Sequence, residues 1–116
     1  MKIEGEAKLL RIFVGSSDKM NNTPLYEFIV YEAKRFGIAG ATVLRGVMGY
    51  GASSMVHSAK ILAISDDMPI IIEIVDEADK VEKFLASIER HFENSRFGML
   101  VTLEKINVIH YSPGSK

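Results

Sequence analysis

Gly37-Ile38-Ala39-Gly40-Ala41-Thr42-Val43-Leu44-Arg45-Gly46-Val47-Met48-Gly49-Tyr50-Gly51 reads as the end of a helix, then a strand, then a run of closely spaced glycines. Gly37 is placed to stop a helix, because the left-handed C-terminal position is open to glycine at no steric cost. Ala41 to Met48 has the apolar, partly β-branched content of a strand. Gly46, Gly49 and Gly51 are followed by Ala52, Ser53 and Ser54. Backbone N–H groups in such a segment can converge on an anion, so it is a candidate phosphate cradle. No G-x-x-x-x-G-K-[ST] motif occurs anywhere in the chain, and the pattern is not a dinucleotide fingerprint. The same glycines have a second reading, a bulged strand end or hairpin that needs φ > 0.

Upstream, Leu9-Leu10-Arg11-Ile12-Phe13-Val14 reads as a largely buried strand closed by the turn Gly15-Ser16-Ser17-Asp18. Thr23-Pro24 reads as a helix start, with threonine as N-cap and proline at the first helical position. Leu25, Phe28, Ile29, Ala33 and Phe36 follow at helical spacing, with Lys34 and Arg35 near the negative end of the dipole. Downstream, Gly51 to Ser58 is small and polar and is expected to be an exposed, mobile loop. Lys60 to Ile64 reads as a short returning strand, and Ser65-Asp66-Asp67-Met68-Pro69 as a turn. Ile70 to Val75 is the most strand-like run, apolar on both faces except at Glu73. Asp76 reads as the cap of a second helix whose stripe is Val81, Phe84, Leu85, Ile88 and Phe92. Asn94 to Gly98 breaks that helix, Met99 to Ile109 returns as a strand or a pair of them, and 112–116 is a frayed tail.

The order predicts an α+β domain over 1–116, a ferredoxin-like βαββαβ split fold with an antiparallel sheet and two helices on one face. Two helices cover only one side of that sheet, yet its strands are apolar on both. At about 25 cal/mol per Å² of buried apolar surface, a wet sheet face is unfavourable. A homo-oligomer closing over that second face is therefore expected.

The 116 residues suit one domain, and 14 basic against 15 acidic residues give a net charge of −1. That balance lacks the electrostatic footprint of a nucleic-acid binder. The absence of cysteine removes disulfides, thiolate metal sites and cysteine nucleophiles. Met1 to Glu6 does not read as a signal peptide, and no run approaches a membrane span, so a cytoplasmic protein is expected.

Arg45 presents a planar donor fork, suited to a phosphate or to a salt bridge between subunits. Tyr50 can stack on a base or pack at an interface. His57 lies in the polar loop; with His91 and His110 it has no short metal-ligand spacing, so no metal is expected. Glu73 reads as an interface carboxylate in a hydrogen bond or ion pair, and Asp66-Asp67 as turn residues. No nucleophile–base pair or paired acids can be assembled, so the chain is not expected to be an enzyme.

With these elements placed, the chain resembles the PII (GlnB-like) signal-transduction superfamily, and more closely a branch of small PII-like proteins of bacteria and archaea. The closer resemblance is carried by Asp18-Lys19, Pro24-Leu25-Tyr26, Gly40-Ala41-Thr42-Val43-Leu44-Arg45-Gly46, Gly49-Tyr50-Gly51, His57 and Ser65-Asp66-Asp67-Met68-Pro69. A more remote likeness to PII proper, in Gly37 to Val43 with Gly49-Tyr50-Gly51 and in Ile70 to Asp79, implies a homotrimer whose lateral clefts bind ATP or ADP, with a T-loop reporting occupancy to a partner protein. On that analogy Thr42 lies near adenine, and Gly49, Tyr50, Gly51, Ala52 and Ser53 form the T-loop base. Arg45 and Gly46 adjoin them, and Ser95, Arg96, Phe97 and Gly98 supply the opposite wall. Ser53, Ser54 and His57 fall in the partner-binding loop, and a membrane transporter is one partner the resemblance implies, fluoride exporters among them for the closer branch. Met99 stands where PII proteins carry a basic residue, and His110 and Ser112 stand where they place arginines. Phosphate neutralisation then falls to Arg96, Arg45, Lys60 or Lys8. The alternatives are a ligand-independent module docked on a transporter and a trimeric metal-tolerance protein.

Overall fold

The computed structural model describes residue 3 and residues 5–51, 57–58, 67–93 and 97–115, with the main chain alone at 57–58. Its elements are β1 (Ala7–Gly15), β2 (Lys19–Met20), β3 (Thr23–Pro24), α1 (Leu25–Phe36), β4 (Gly40–Arg45), β5 (Met48–Gly49), β6 (His57–Ser58), β7 (Pro69–Glu77), α2 (Ala78–Glu89) and β8 (Leu100–Ile106). Four strands form one sheet in the order β4-β7-β1-β8, with every neighbouring pair antiparallel. This is the ferredoxin-like arrangement that the strand and helix order implied.

Burial alternates along the central strands as period-two geometry requires. Leu10, Ile12 and Val14 of β1 and Ile70, Ile72 and Ile74 of β7 are buried toward the helices. Leu25, Ile29 and Ala33 of α1 and Val81, Phe84 and Ile88 of α2 complete this core. Phe36 lies at its rim, its ring edge-on to Phe84 at 5.6 Å. Leu9, Arg11 and Phe13 alternate to the other side, as do Ile71, Glu73 and Val75, and neither helix lies on that face.

Several local readings are corrected. Thr23 is no helix cap: it pairs with Met20 in a small antiparallel ladder, and the cap position, Pro24, has no side-chain cap bond. The cause is Asn21-Asn22, both with positive φ (50° and 72°), which make a two-residue hairpin turn of the kind asparagine tolerates. Asp76 is likewise no cap residue. It ends the core face of β7, 4% exposed, and receives the N–H of Ala39 at 2.9 Å and that of Glu77 at 2.7 Å. Its carboxylate thus ties the α1–β4 turn to the start of α2. Lys80 reinforces the tie, donating to the Gly37 carbonyl at 2.6 Å. Gly37 does stop α1, at φ 90°. The strand expected over Ala41 to Met48 is split, ending at Arg45 and resuming as β5, which leaves the sheet to pair with β6. His57–Ser58, expected within a loop, is therefore a strand, while Lys60 to Ile64 falls outside the described residues.

Candidate functional site

The glycine segment begins where β4 stops. Gly46 donates its N–H to the Pro69 carbonyl at 2.8 Å, fixing the start of the loop against the first residue of β7. The far end of the loop is fixed as firmly. Ser16 N–H donates to the Met68 carbonyl at 2.8 Å, Met68 N–H donates to Ser16 Oγ at 2.9 Å, and Ser17 N–H donates to Asp67 Oδ1 at 3.0 Å. The far end of the loop therefore rests on the turn after β1. Asp18 Oδ2 accepts the Gly15 N–H at 2.9 Å in the same turn. Burial pushes the Asp18 carboxyl above its usual range, and the nearby Asp67 charge adds to the rise.

Positive φ does not account for Gly46 and Gly49. The glycines with positive φ are Gly5, Gly37 and Gly114, so the expectation of φ > 0 at 46, 49 and 51 is overturned. Steric contact explains two of them instead. A Cβ on Gly46 would sit 2.9 Å from Pro69 Cγ, and one on Gly49 would sit 3.3 Å from the same atom. Gly51 has nothing within 4 Å of such a Cβ, so packing leaves it unconstrained.

The remaining candidates divide by position. Thr42 pairs with Glu73 and faces the open side of the sheet, whereas Arg45 pairs with Ile70 and faces the helix side. Arg45 is exposed and makes no ion pair among the described residues. Tyr50 is 73% exposed and Val47 77%, so the base of the loop presents bare apolar surface. Lys8 lies at the opposite end of β1 from Gly15 and pairs with Glu82 at 2.6 Å, away from the glycine segment of its own chain. Ala52, Ser53, Ser54, Lys60, Ser95 and Arg96 lie outside the described residues, as does the His57 side chain. His110 Nε2 is 3.2 Å from Ser112 Oγ, and Tyr111, between them, donates to the Ala39 carbonyl at 2.8 Å. This tail contact had no signal in the sequence. Among the described residues no three His, Asp or Glu side chains are grouped to hold a metal ion.

Gly46 and Gly98 sit at the same end of the sheet on opposite edges. Arg45 is level with Ile70, Ile70 with Val14, and the adjoining Phe13 with Leu100. Three inter-strand steps, about 14 Å, separate the two edges. Gly46 and Gly98 therefore do not meet within one chain.

Residues 7–108 match the family DUF190, described as "Uncharacterized ACR". The chain belongs to this family. A UPF0166 protein of Aquifex aeolicus is 34% identical over 103 residues, covering 89% of this chain and 93% of the relative. A UPF0166 protein of Methanocaldococcus jannaschii is 34% identical over 90 residues, covering 78% and 82%. Among solved structures, a putative PII-like signaling protein from Thermus thermophilus aligns with TM-score 0.61 at 20% identity over 87% of each chain. CPII, a nitrogen regulatory PII-like protein from Thiomonas intermedia solved with ADP, AMP and bicarbonate, aligns with TM-score 0.59 at 21% identity over 90% and 92%. The DUF190 chain thus has the ferredoxin-like PII fold. Among its described residues no helix is long and apolar enough to cross a membrane.

Proposed function

We propose that this chain is a regulatory protein that binds ADP or ATP between copies of itself and reports the occupancy to a partner protein. In this reading 1–116 is one domain, assembled as a cytoplasmic homotrimer without catalytic activity. The phosphates lie against Gly46, Gly49, Gly51, Ala52 and Ser53 of one copy, with Arg45 beside them and adenine near Thr42. Ser95, Arg96 and Gly98 of the neighbouring copy form the other wall. Binding orders the segment that carries Ser53, Ser54 and His57, and that segment meets the partner, a membrane transporter being one candidate.

The observation that supports this reading is the sheet order, which sets Gly46 and Gly98 at the same end of opposite edges. A head-to-tail ring brings the β4 edge of one copy to the β8 edge of the next, joining them. The exposed apolar residues support a ring: Leu44, Val47, Met48 and Tyr50 gather by one edge, and Leu100 and Leu103 on the other. Two different patches need a heterologous contact, since a two-fold dimer would use one patch twice. The nucleotide-bound state of CPII, a neighbour of the same fold, adds support for an adenine ligand.

Isothermal calorimetry with ADP, ATP and AMP tests the reading. Saturable heat with ADP or ATP, weakened by Arg45→Ala, is the expected result; no heat with any of the three overturns it. The bare Val47-Met48-Tyr50 run favours one rival, a loop that docks on its partner without nucleotide. Partner capture unaffected by nucleotide, and abolished by substitution at His57 or Ser53, would select that rival.

A further inference from the structure

The open face of the sheet is banded rather than uniformly apolar. Leu44, Ile71, Phe13 and Leu100 are successive cross-strand partners and form one apolar row. The next row is Thr42, Glu73, Arg11 and Thr102, which is polar throughout. Arg11 stands in its middle, with Nε on Glu73 Oε2 at 2.9 Å and Nη1 on Glu104 Oε1 at 2.8 Å. The two acids come from the strands flanking β1, so the triad spans three strands of the sheet. Its side chains are only part-exposed: 37% for Arg11, 30% for Glu73 and 53% for Glu104.

We propose that this triad sets the register and stoichiometry of self-association, with a second copy of this chain as its partner. The inference rests on the oligomer of the preceding reading and goes beyond it by naming the residues that select the geometry. Two of the five guanidinium N–H donors are used, which leaves three. Glu73 Oε1 and Glu104 Oε2 accept no hydrogen bond among the described residues. The triad therefore holds spare donors and spare acceptors together, and with the open faces turned toward the axis of the ring the same triad of a neighbouring copy satisfies both. Hydroxyls at Thr42 and Thr102 continue the polar band to its edges. A slip of two residues along the strands, about 6.8 Å, would set charged groups against the Leu44–Leu100 row. Desolvated charges without partners are heavily penalised, so the banding rejects slipped packings more than it strengthens the correct one.

Native mass spectrometry and sedimentation velocity of full-length variants test this, with circular dichroism confirming that each is folded. The wild-type chain is expected to show one oligomeric stoichiometry. Arg11→Met leaves two facing acids without their cation and is expected to weaken association by roughly a hundredfold or more. Glu104→Lys, on the exposed edge strand, is expected to weaken it as well, and serves if Arg11→Met fails to fold. The triple variant Arg11→Met, Glu73→Leu, Glu104→Leu is expected to associate at least as tightly as wild type, but with several stoichiometries. A triple variant with the single wild-type stoichiometry, or single variants as tightly associated as wild type, would overturn the role of the triad. A monomeric wild type would instead remove the oligomer itself, and the triad's role with it.

Discussion

Gly46 and Gly51 belong to one glycine segment, yet alanine should separate them. At Gly46 the new Cβ meets the Pro69 ring at 2.9 Å, so Gly46→Ala is expected to lose about 1–3 kcal/mol. At Gly51 the space is open, and Gly51→Ala should stay within about 0.5 kcal/mol. Urea denaturation of the two variants reads the difference. Asp18 offers a test through pH. Burial raises its carboxyl in the folded chain, so the native state holds the proton more tightly than the unfolded one. Stability therefore falls as pH rises from the unfolded carboxylate range, about 3.9, through the folded value. The amide of Asp18→Asn retains an acceptor for the Gly15 N–H and escapes that loss. Asp18→Asn is thus expected to gain stability relative to wild type progressively as pH rises above about 3.9, as thermal melts at a series of pH values would report. A constant difference at all pH values would contradict the assignment.

At the scale of elements, periodicity carried most of the fold and local capping rules carried least. The stripes of α1 and α2 and the apolar run of β7 were legible because burial imposes periods of 3.6 and 2 on them. Thr23 and Asp76 misled because each has a cap-like side chain beside a helix and a different task in three dimensions. Asn21-Asn22 was the legible but unread signal for the first, a two-residue hairpin turn. Asp76 answers an unpaired N–H at Ala39, a contact that no local pattern announces. Substitution distinguishes the two residues. Thr23→Ala should change stability by less than about 0.5 kcal/mol, where a true cap would lose about 1. Asp76→Ala strips two N–H groups of their acceptor and should lose at least about 1–3 kcal/mol. Of the candidate site, the glycine segment was readable as a strand end. The reason for its glycines was not, since Pro69 reaches it only through sheet pairing.

At the scale of the whole molecule, the helices complete one side of the sheet and leave the banded side and both edges open. With copies associated as proposed, the thermal midpoint is expected to rise as the chain is concentrated, which melts over a concentration series would read. The central claim is that one nucleotide site is shared by two copies, a wall from each. Subunit complementation tests it most directly, using ADP binding by calorimetry. One variant carries Arg45→Ala and Gly49→Glu on the β4 side, and the other carries Gly98→Glu on the β8 side. Each assembled alone should bind no ADP, while co-refolded mixtures should recover about a quarter of the sites, as random head-to-tail assembly requires. Mixed oligomers that form but recover no binding would contradict a shared site.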